Sequence, residues 1–306
     1  MKKLLAIFLA VVLSGLTCIV GFAAGEEADK PFENSEFFTY GDYSIHYRKV
    51  EHHGTYKGRI MMLHGFGQST YSWENMASQM SAKGYDCYMA DLPNFGYSTR
   101  ENADTEVIYR EELVIELMKS IADDDKWILA GHSMGGGVAI NVAQETDVKA
   151  LFLVCPAPMA DMSSMPAGLM TNPVVTGMMN FVFKYLTRID FLMRMIVLMA
   201  TNNKEYTKAY DVEKVAAPLQ LPDSGAGLCY MMGNVRSTDL EGAGAIDCPV
   251  LIINATNDMI INDSMKQSVA DALPNAEHYL VEGGGHICHE DRAEELSAVV
   301  FDFLNK

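Results

Sequence analysis

"LAGHSMGGG", Leu129 to Gly137, sets one serine between an apolar run and a segment able to turn helical, with glycines crowded on both sides. A serine hydroxyl alone is a poor nucleophile, so the stretch gains meaning only if the chain also supplies a base, an acid and a place for negative charge. Gly131-His132-Ser133-Met134-Gly135 has the pattern Gly-x-Ser-x-Gly, where "KWILAGHS" reads as a strand and Met134 to Glu145 as a helix. A sharp turn there strains the serine backbone and lifts its hydroxyl above the sheet. Side chains two residues to either side would collide, and Gly131 and Gly135 avoid this; Gly136 and Gly137 let the helix press on the strand. The free amides and positive end of the helix point at the same place. No Gly-Lys-Ser/Thr follows, as a phosphate loop needs, and Gly-x-Gly-x-x-Gly is not matched. The plainer alternative is that the glycines serve helix packing and Ser133 is incidental.

Of the eight histidines, His46, His52 and His53 lie early, His64 and His132 sit in glycine turns, and His278 begins a strand. His286 stands in "EGGGHI", directly after the last apolar strand, where a glycine loop can bring an imidazole over the sheet edge. His289 is the competitor, at a capping or surface position where the last helix starts. The acid belongs before the base in chain order, after the penultimate strand. "VLIINATNDMIIN" delivers Asp258 there, with Asp263 as a competitor better suited to capping the next helix. A buried Asp258 bonded to the histidine would fix its tautomer and stabilise the imidazolium. For the oxyanion, "LHGFG" follows an early strand, and the backbone N–H groups of Phe66 and Met134 are the expected donors, with His64 bracing the loop.

Around this set the chain alternates strands and helices. "FFTYGDYSIHYRKV" gives two strands with a turn at Gly41-Asp42; "GRIMMLHGF" is a short apolar run ending in glycine, "YDCYMADLPNFGYS" gives a strand up to Ala90, and "KWILAGHS", "VKALFLVC", "CPVLIINATND" and "EHYLVEGGGH" give the rest. Helical period runs over Tyr71 to Lys83, Asp104 to Ala122, Met134 to Glu145, Asn262 to Leu273 and Glu290 to Leu304. The fold class is therefore α/β, a mostly parallel sheet with helices on both faces. From about Ala157 to Ala245 the rhythm breaks: no strand pattern, several helical stretches, and 11 of the 21 methionines. Asn180 to Ala200 is apolar, but Lys184, Arg188, Asp190 and Arg194 interrupt it and argue against a membrane span. The expected organisation is a leader over 1–24, a core over 30–156, a helical cap over 157–245, and the second part of the core over 246–306.

The 306 residues, 49% hydrophobic, suffice for one large core but not for two full domains. The formal charge of −17 repels phosphate backbones and argues against nucleic acid as a partner. Lys2 and Lys3 precede an uncharged stretch from Leu4 to Gly25, with small residues at Gly21, Ala23 and Ala24. That reads as an export signal, a retained N-terminal anchor giving membrane association, or a lipid attachment at Cys18; each places the folded part outside the cytoplasm, secreted or held at the membrane. Cys87, Cys155, Cys229, Cys248 and Cys288 form neither a disulfide framework nor a zinc spacing; most read as small buried hydrophobes, with one bridged pair possible.

"LHGFG" (63–67), "DLPNFGYS" (91–98), "GHSMGG" (131–136), "ATND" (255–258) and "GGGH" (283–286) together, in that order, resemble the landmarks of the α/β-hydrolase superfamily over about Phe37 to Leu304. Asn94 replaces the glycine usual in the second landmark, and no proline follows Asp258 where the family commonly has one. The resemblance implies acyl chemistry: Ser133 attacks a carbonyl, His286 moves the proton, Asp258 holds His286, and water releases the acyl-enzyme, without cofactor or metal. A serine at the elbow argues against dehalogenases and epoxide hydrolases, which carry aspartate there. The expected substrate is a small hydrophobic ester, in the manner of a carboxylesterase or monoacylglycerol lipase. Met159, Met162, Met165, Met170, Met178 and Met179 are candidates to line an apolar pocket, or else simply glue the cap. Phe66, Trp73, Phe95, Phe181 and Phe183 are candidate walls. Thioester, peptide and carbon–carbon bond cleavage by the same triad, and a ligand-binding protein without turnover, are the alternatives.

Overall fold

The structure is a computed structural model that describes residues 30–123, 126–159, 167–234 and 236–306. The leader, Cys18, Met162 and Met165 lie outside the described residues. Of the two units into which the chain divides, Phe32–Lys306 is the one described below.

Eight strands form one sheet: β1 (Ser35–Tyr40), β2 (Tyr43–Val50), β3 (Gly58–Leu63), β4 (Tyr85–Ala90), β5 (Trp127–His132), β6 (Val148–Val154), β7 (Val250–Ala255) and β8 (Glu277–Val281). Their order is β1-β2-β4-β3-β5-β6-β7-β8. Only β2 runs against the rest, pairing antiparallel with both β1 and β4. All residues of β4 and β5 are buried, because helices cover both faces. Alternation sorts the side chains: Met61, Leu63, Leu129 and Leu151 face the helices Arg110–Ile121 and Met134–Glu145. Ile60, Met62, Ile128 and Phe152 face the helices Glu74–Ser81 and Ala293–Leu304.

Between β6 and β7 the described chain is helical, with Pro173–Leu186, Asp190–Thr201, Lys204–Ala209, Val212–Leu219 and Ser224–Asn234 as its main elements. Met193, Val197, Tyr210, Val212 and Ala216 make a small separate core there. Among the described residues no helix is long and apolar enough to cross a membrane. All five cysteines from Cys87 onward are free thiols, so no pair is bridged.

Two helices differ from expectation. The period over Asp104–Ala122 yields a helix only from Arg110, because Asn102 Oδ1 accepts from Asp104 N and Thr105 Oγ1 from Asn102 N, closing a local turn instead. Val107, an apolar residue inside the stretch expected to be helical, is 62% exposed. The closing helix is two, Cys288–Asp291 and Ala293–Leu304, broken at Arg292. Asn94, in the place of a glycine, takes φ +75, the left-handed region that asparagine tolerates better than most residues.

Candidate active site

Ser133 lies between β5 and the helix Met134–Glu145, with φ +51 and ψ −120. Such a conformation costs about 1–3 kcal/mol in a residue with a side chain and needs surroundings that over-determine it. They do. Ser133 N–H donates to Val154 O at 3.1 Å, and Ser133 O accepts from Gly136 N at 2.9 Å and Ala157 N at 3.0 Å. A Cβ on Gly131 would stand 2.5 Å from Gly135 O, and one on Gly135 would stand 2.3 Å from Leu63 O. Both glycines of the motif are thus fixed by close approach of backbone, one across the turn and the other against the end of β3.

The last two strands bring up the acid and the base. His286 Nδ1 lies 2.9 Å from Asp258 Oδ2. Asp258 Oδ1 accepts from Ile260 N at 2.8 Å and Ile261 N at 2.9 Å, which orients the carboxylate from behind. Burial opposes its ionisation, but the His286 ring and these two amides outweigh burial and hold Asp258 below the usual carboxylate range. Among the described residues the Ser133 hydroxyl has no hydrogen-bond partner. Acid and base are therefore paired in this structure while the serine stands unbonded, as is common before substrate arrives.

The Phe66 and Met134 amides are likewise unused by other backbone groups among the described residues. His64 braces the first of these loops: its Nδ1 lies 2.7 Å from Gly65 O, and its Nε2 accepts from Leu92 N at 3.0 Å. The His286 loop packs against the helix Asp190–Thr201. A Cβ on Gly285 would stand 2.3 Å from Ala200 O, which explains a glycine directly before the histidine.

Several expectations fall otherwise. Asp263 is fully exposed, and Asn262, not Asp263, caps its helix by accepting from Met265 N at 2.9 Å. His289 is neither cap nor surface: it is fully buried, its ring 4.2 Å from that of His132 and 4.5 Å from that of Trp73. Burial holds it neutral, with a pKa pushed down to about 3. Trp73 is a core residue packed on Phe152 rather than a pocket wall. Phe95 is buried against His64 and Phe66. Met159, Met179 and Phe183 are half-buried on the sheet-facing core, whereas Met178 and Phe181 are exposed.

Three residues escaped the sequence reading. Gln68 Oε1 accepts from Gly65 N at 3.0 Å and lies 2.7 Å from His132 Nδ1. His132 Nε2 lies 3.0 Å from the carbonyl oxygen of His286. Burial, then the neighbouring imidazoles, keep His132 well below the ordinary imidazole range. Cys155, with φ +43, places its sulfur within 4.8 Å of ligand atoms of Asp258 and His286. The signal available in sequence was proximity alone: Gln68 follows "LHGFG", and Cys155 ends the strand beside β5.

With this geometry in hand, comparison with known proteins is informative. The family described as serine aminopeptidase, S33, matches residues 54–293. The magnesium-chelatase 30 kDa subunit of Rhodobacter capsulatus is 27% identical over 259 residues, spanning 80% of this chain and 86% of that protein. The monoglyceride lipase of Mus musculus is 22% identical over 262 residues, spanning 81% and 82%. Among solved structures, the enol-lactonase from Burkholderia xenovorans LB400 superposes with a TM-score of 0.69 at 16% identity, over 89% of this chain and 100% of that one. At that identity the likeness shows the fold alone.

Proposed function

The chain belongs to the serine aminopeptidase S33 family of α/β hydrolases, and from that premise we propose that it is a serine hydrolase cleaving carboxylic esters of hydrophobic acyl groups. The observation that carries this reading is the strained, unbonded Ser133 at the head of a helix, on the same sheet edge as the closed His286–Asp258 pair. In the proposed reaction the Ser133 hydroxyl attacks the ester carbonyl and His286 Nε2 takes its proton. Asp258 keeps the other ring nitrogen protonated and stabilises the imidazolium. The Phe66 and Met134 amides receive the oxyanion, and the imidazolium returns the proton to the departing alcohol. Water then repeats the sequence on the acyl-enzyme.

The case for an apolar acyl group comes from the rim. Phe66, at the oxyanion loop, is 53% exposed, and Met259 and Ile260, directly after the acid, are 72% and 57% exposed. Apolar side chains left in solvent at the oxyanion loop and directly after the acid suit a hydrophobic chain better than a charged peptide terminus. The name of the mouse relative points to ester substrates as well. The export expected for the leader is part of the same reading: the enzyme acts outside the cytoplasm.

The test is hydrolysis of p-nitrophenyl esters from acetate to palmitate by wild type and Ser133→Ala, alongside fluorophosphonate labelling. Turnover abolished in the variant, with an optimum at medium or long chains, is the expected result. Labelling of Ser133 without hydrolysis of any ester would keep the nucleophile and overturn the ester assignment in favour of thioester, peptide or carbon–carbon substrates.

A further inference from the structure

The short helix Cys288–Asp291 carries a buried carboxyl that this reaction does not use. Glu290 is 3% exposed. Its Oε1 accepts from Gln68 Nε2 at 2.9 Å and its Oε2 from the Tyr206 hydroxyl at 3.2 Å, with the Tyr210 hydroxyl a further donor. Asn75 Nδ2 donates to its backbone oxygen at 3.0 Å. The titratable groups that face it are Tyr206 and Tyr210 from the segment between β6 and β7, Tyr71 from the turn before Glu74–Ser81, and Asp291 on its own helix. These are phenols and one like charge, and no ion pair to Glu290 forms among the described residues.

Gln68 passes this carboxyl on to the catalytic loops. Its Oε1 accepts from Gly65 N, a backbone donor that cannot reverse, so the amide must present its NH₂ to Glu290. A carboxylate accepts that donor and both phenols at once. A carboxylic acid has a proton of its own to place among donors, and must reverse a phenol or turn Gln68 over. If Gln68 turns, the Gly65 N–H loses its acceptor, one residue before the amide assigned to the oxyanion.

We propose that Glu290 is a positioning residue: ionised, it holds Gln68 so that Gly65 and the Phe66 amide are fixed for the oxyanion, and protonated, it releases them. The inference rests on the reading of Ser133 and Phe66 given above. Burial pushes the carboxyl up to about 8, against the pull of the Tyr210, Tyr206 and Gln68 hydrogen bonds, which places the changeover in mildly alkaline solution. Tyr206 and Tyr210 give the helical segment a part in it. Their hydroxyls favour the carboxylate, while the cover they give keeps it from water and favours the acid.

The Gly65 amide reports this without any substrate. In ¹H–¹⁵N spectra its resonance is expected to titrate with a midpoint near 8 in wild type and to stay still in Glu290→Gln. Tyr206→Phe removes one donor to the carboxylate and moves the midpoint up, which keeps the test alive if Glu290→Gln fails to fold. For the best ester, kcat should rise roughly three- to tenfold as pH passes through the same midpoint, with KM unchanged, and the rise should vanish in Glu290→Gln. A Gly65 resonance that does not titrate in wild type, or that titrates equally in Glu290→Gln, overturns the proposal whatever the substrate is. Titration of Gly65 together with an unreactive Ser133 would instead overturn the hydrolase reading and leave the Glu290–Gln68 link standing.

Discussion

Two sets of serine, histidine and aspartate can be compared among the described residues, and the reaction proposed above uses one of them. In the first, Ser35 Oγ lies 2.7 Å from His46 Nε2, and His46 Nδ1 lies 2.6 Å from Asp91 Oδ2. All three residues are fully buried. Asp91 also accepts from Thr70 N at 2.6 Å and Tyr97 N at 2.8 Å, and the rings of Phe37 and Tyr97 close on His46. In the second set, the His286–Asp258 pair is just as well formed, but the Ser133 hydroxyl has no partner among the described residues and its backbone is strained. A serine–histidine–aspartate chain is therefore no sign of catalysis by itself. Ser35 sits in a regular strand with its hydroxyl spent on structure. Ser133 sits at a helix head with its hydroxyl and two nearby amides unspent, and that vacancy is what a substrate can fill.

The largest effect that separates the two sets is on kcat. Ser133→Ala should lower ester turnover by at least about 10⁴-fold, since the nucleophile is gone and only the oxyanion amides remain. Asp258→Asn should lower it by about 10³–10⁴-fold, because an amide cannot hold the required tautomer of His286. In Ser133→Ala the thermal midpoint should stay close to that of wild type. A large fall in stability with Ser133→Ala would break the comparison, for it would mean that this hydroxyl is also structural.

Next in size is an effect on stability. Asp91→Asn leaves His46 without its buried carboxylate and should cost about 3 kcal/mol, with kcat per folded molecule nearly unchanged. The pH dependence gives the sign. Burial opposes the charge on Asp91, but its bond to His46, the nearby imidazoles and the Tyr97 amide outweigh that and hold its pKa below the usual range. A depressed pKa contributes stability that is present above the unfolded value, near 3.9, and is lost as pH falls through the folded value. Acid titrations of chemical stability should thus show a shallower loss in Asp91→Asn than in wild type. Equal slopes would count against a charged His46–Asp91 link.

What the sequence revealed, and what it withheld, divides along the same line. The strands were legible because a sheet covered on both faces demands unbroken apolar runs, as in "GRIMML" and "KWILAGH". The elbow and His286 were legible because backbone crowding leaves glycines beside them, at Gly131, Gly135 and Gly285, and Asp258 because it follows the penultimate strand. Ser35, His46 and Asp91 were not, because their partners come together only through strand pairing. Gln68 and Glu290 are 222 positions apart in the chain and meet through tertiary packing alone. His289 misled for the opposite reason: a polar residue at a helix start normally faces water, yet here it fills space under His132.

The smallest effect is the sharpest test of the comparison. Ser35 Oγ accepts from Phe32 N at 3.0 Å while it bonds to His46, so Ser35→Ala leaves two buried or half-buried polar groups with one partner fewer. That should cost about 1–2 kcal/mol, which for a domain of this size lowers Tm by about 2–8 °C. No change in kcat is expected, because Ser35 touches neither His286 nor the oxyanion loop. Ser133→Ala should do the reverse, moving kcat and leaving Tm in place. If Ser35→Ala alone lowered kcat, the buried set would have to be coupled to the reacting one, and the route would run through Asp91 and Thr70 toward Gln68.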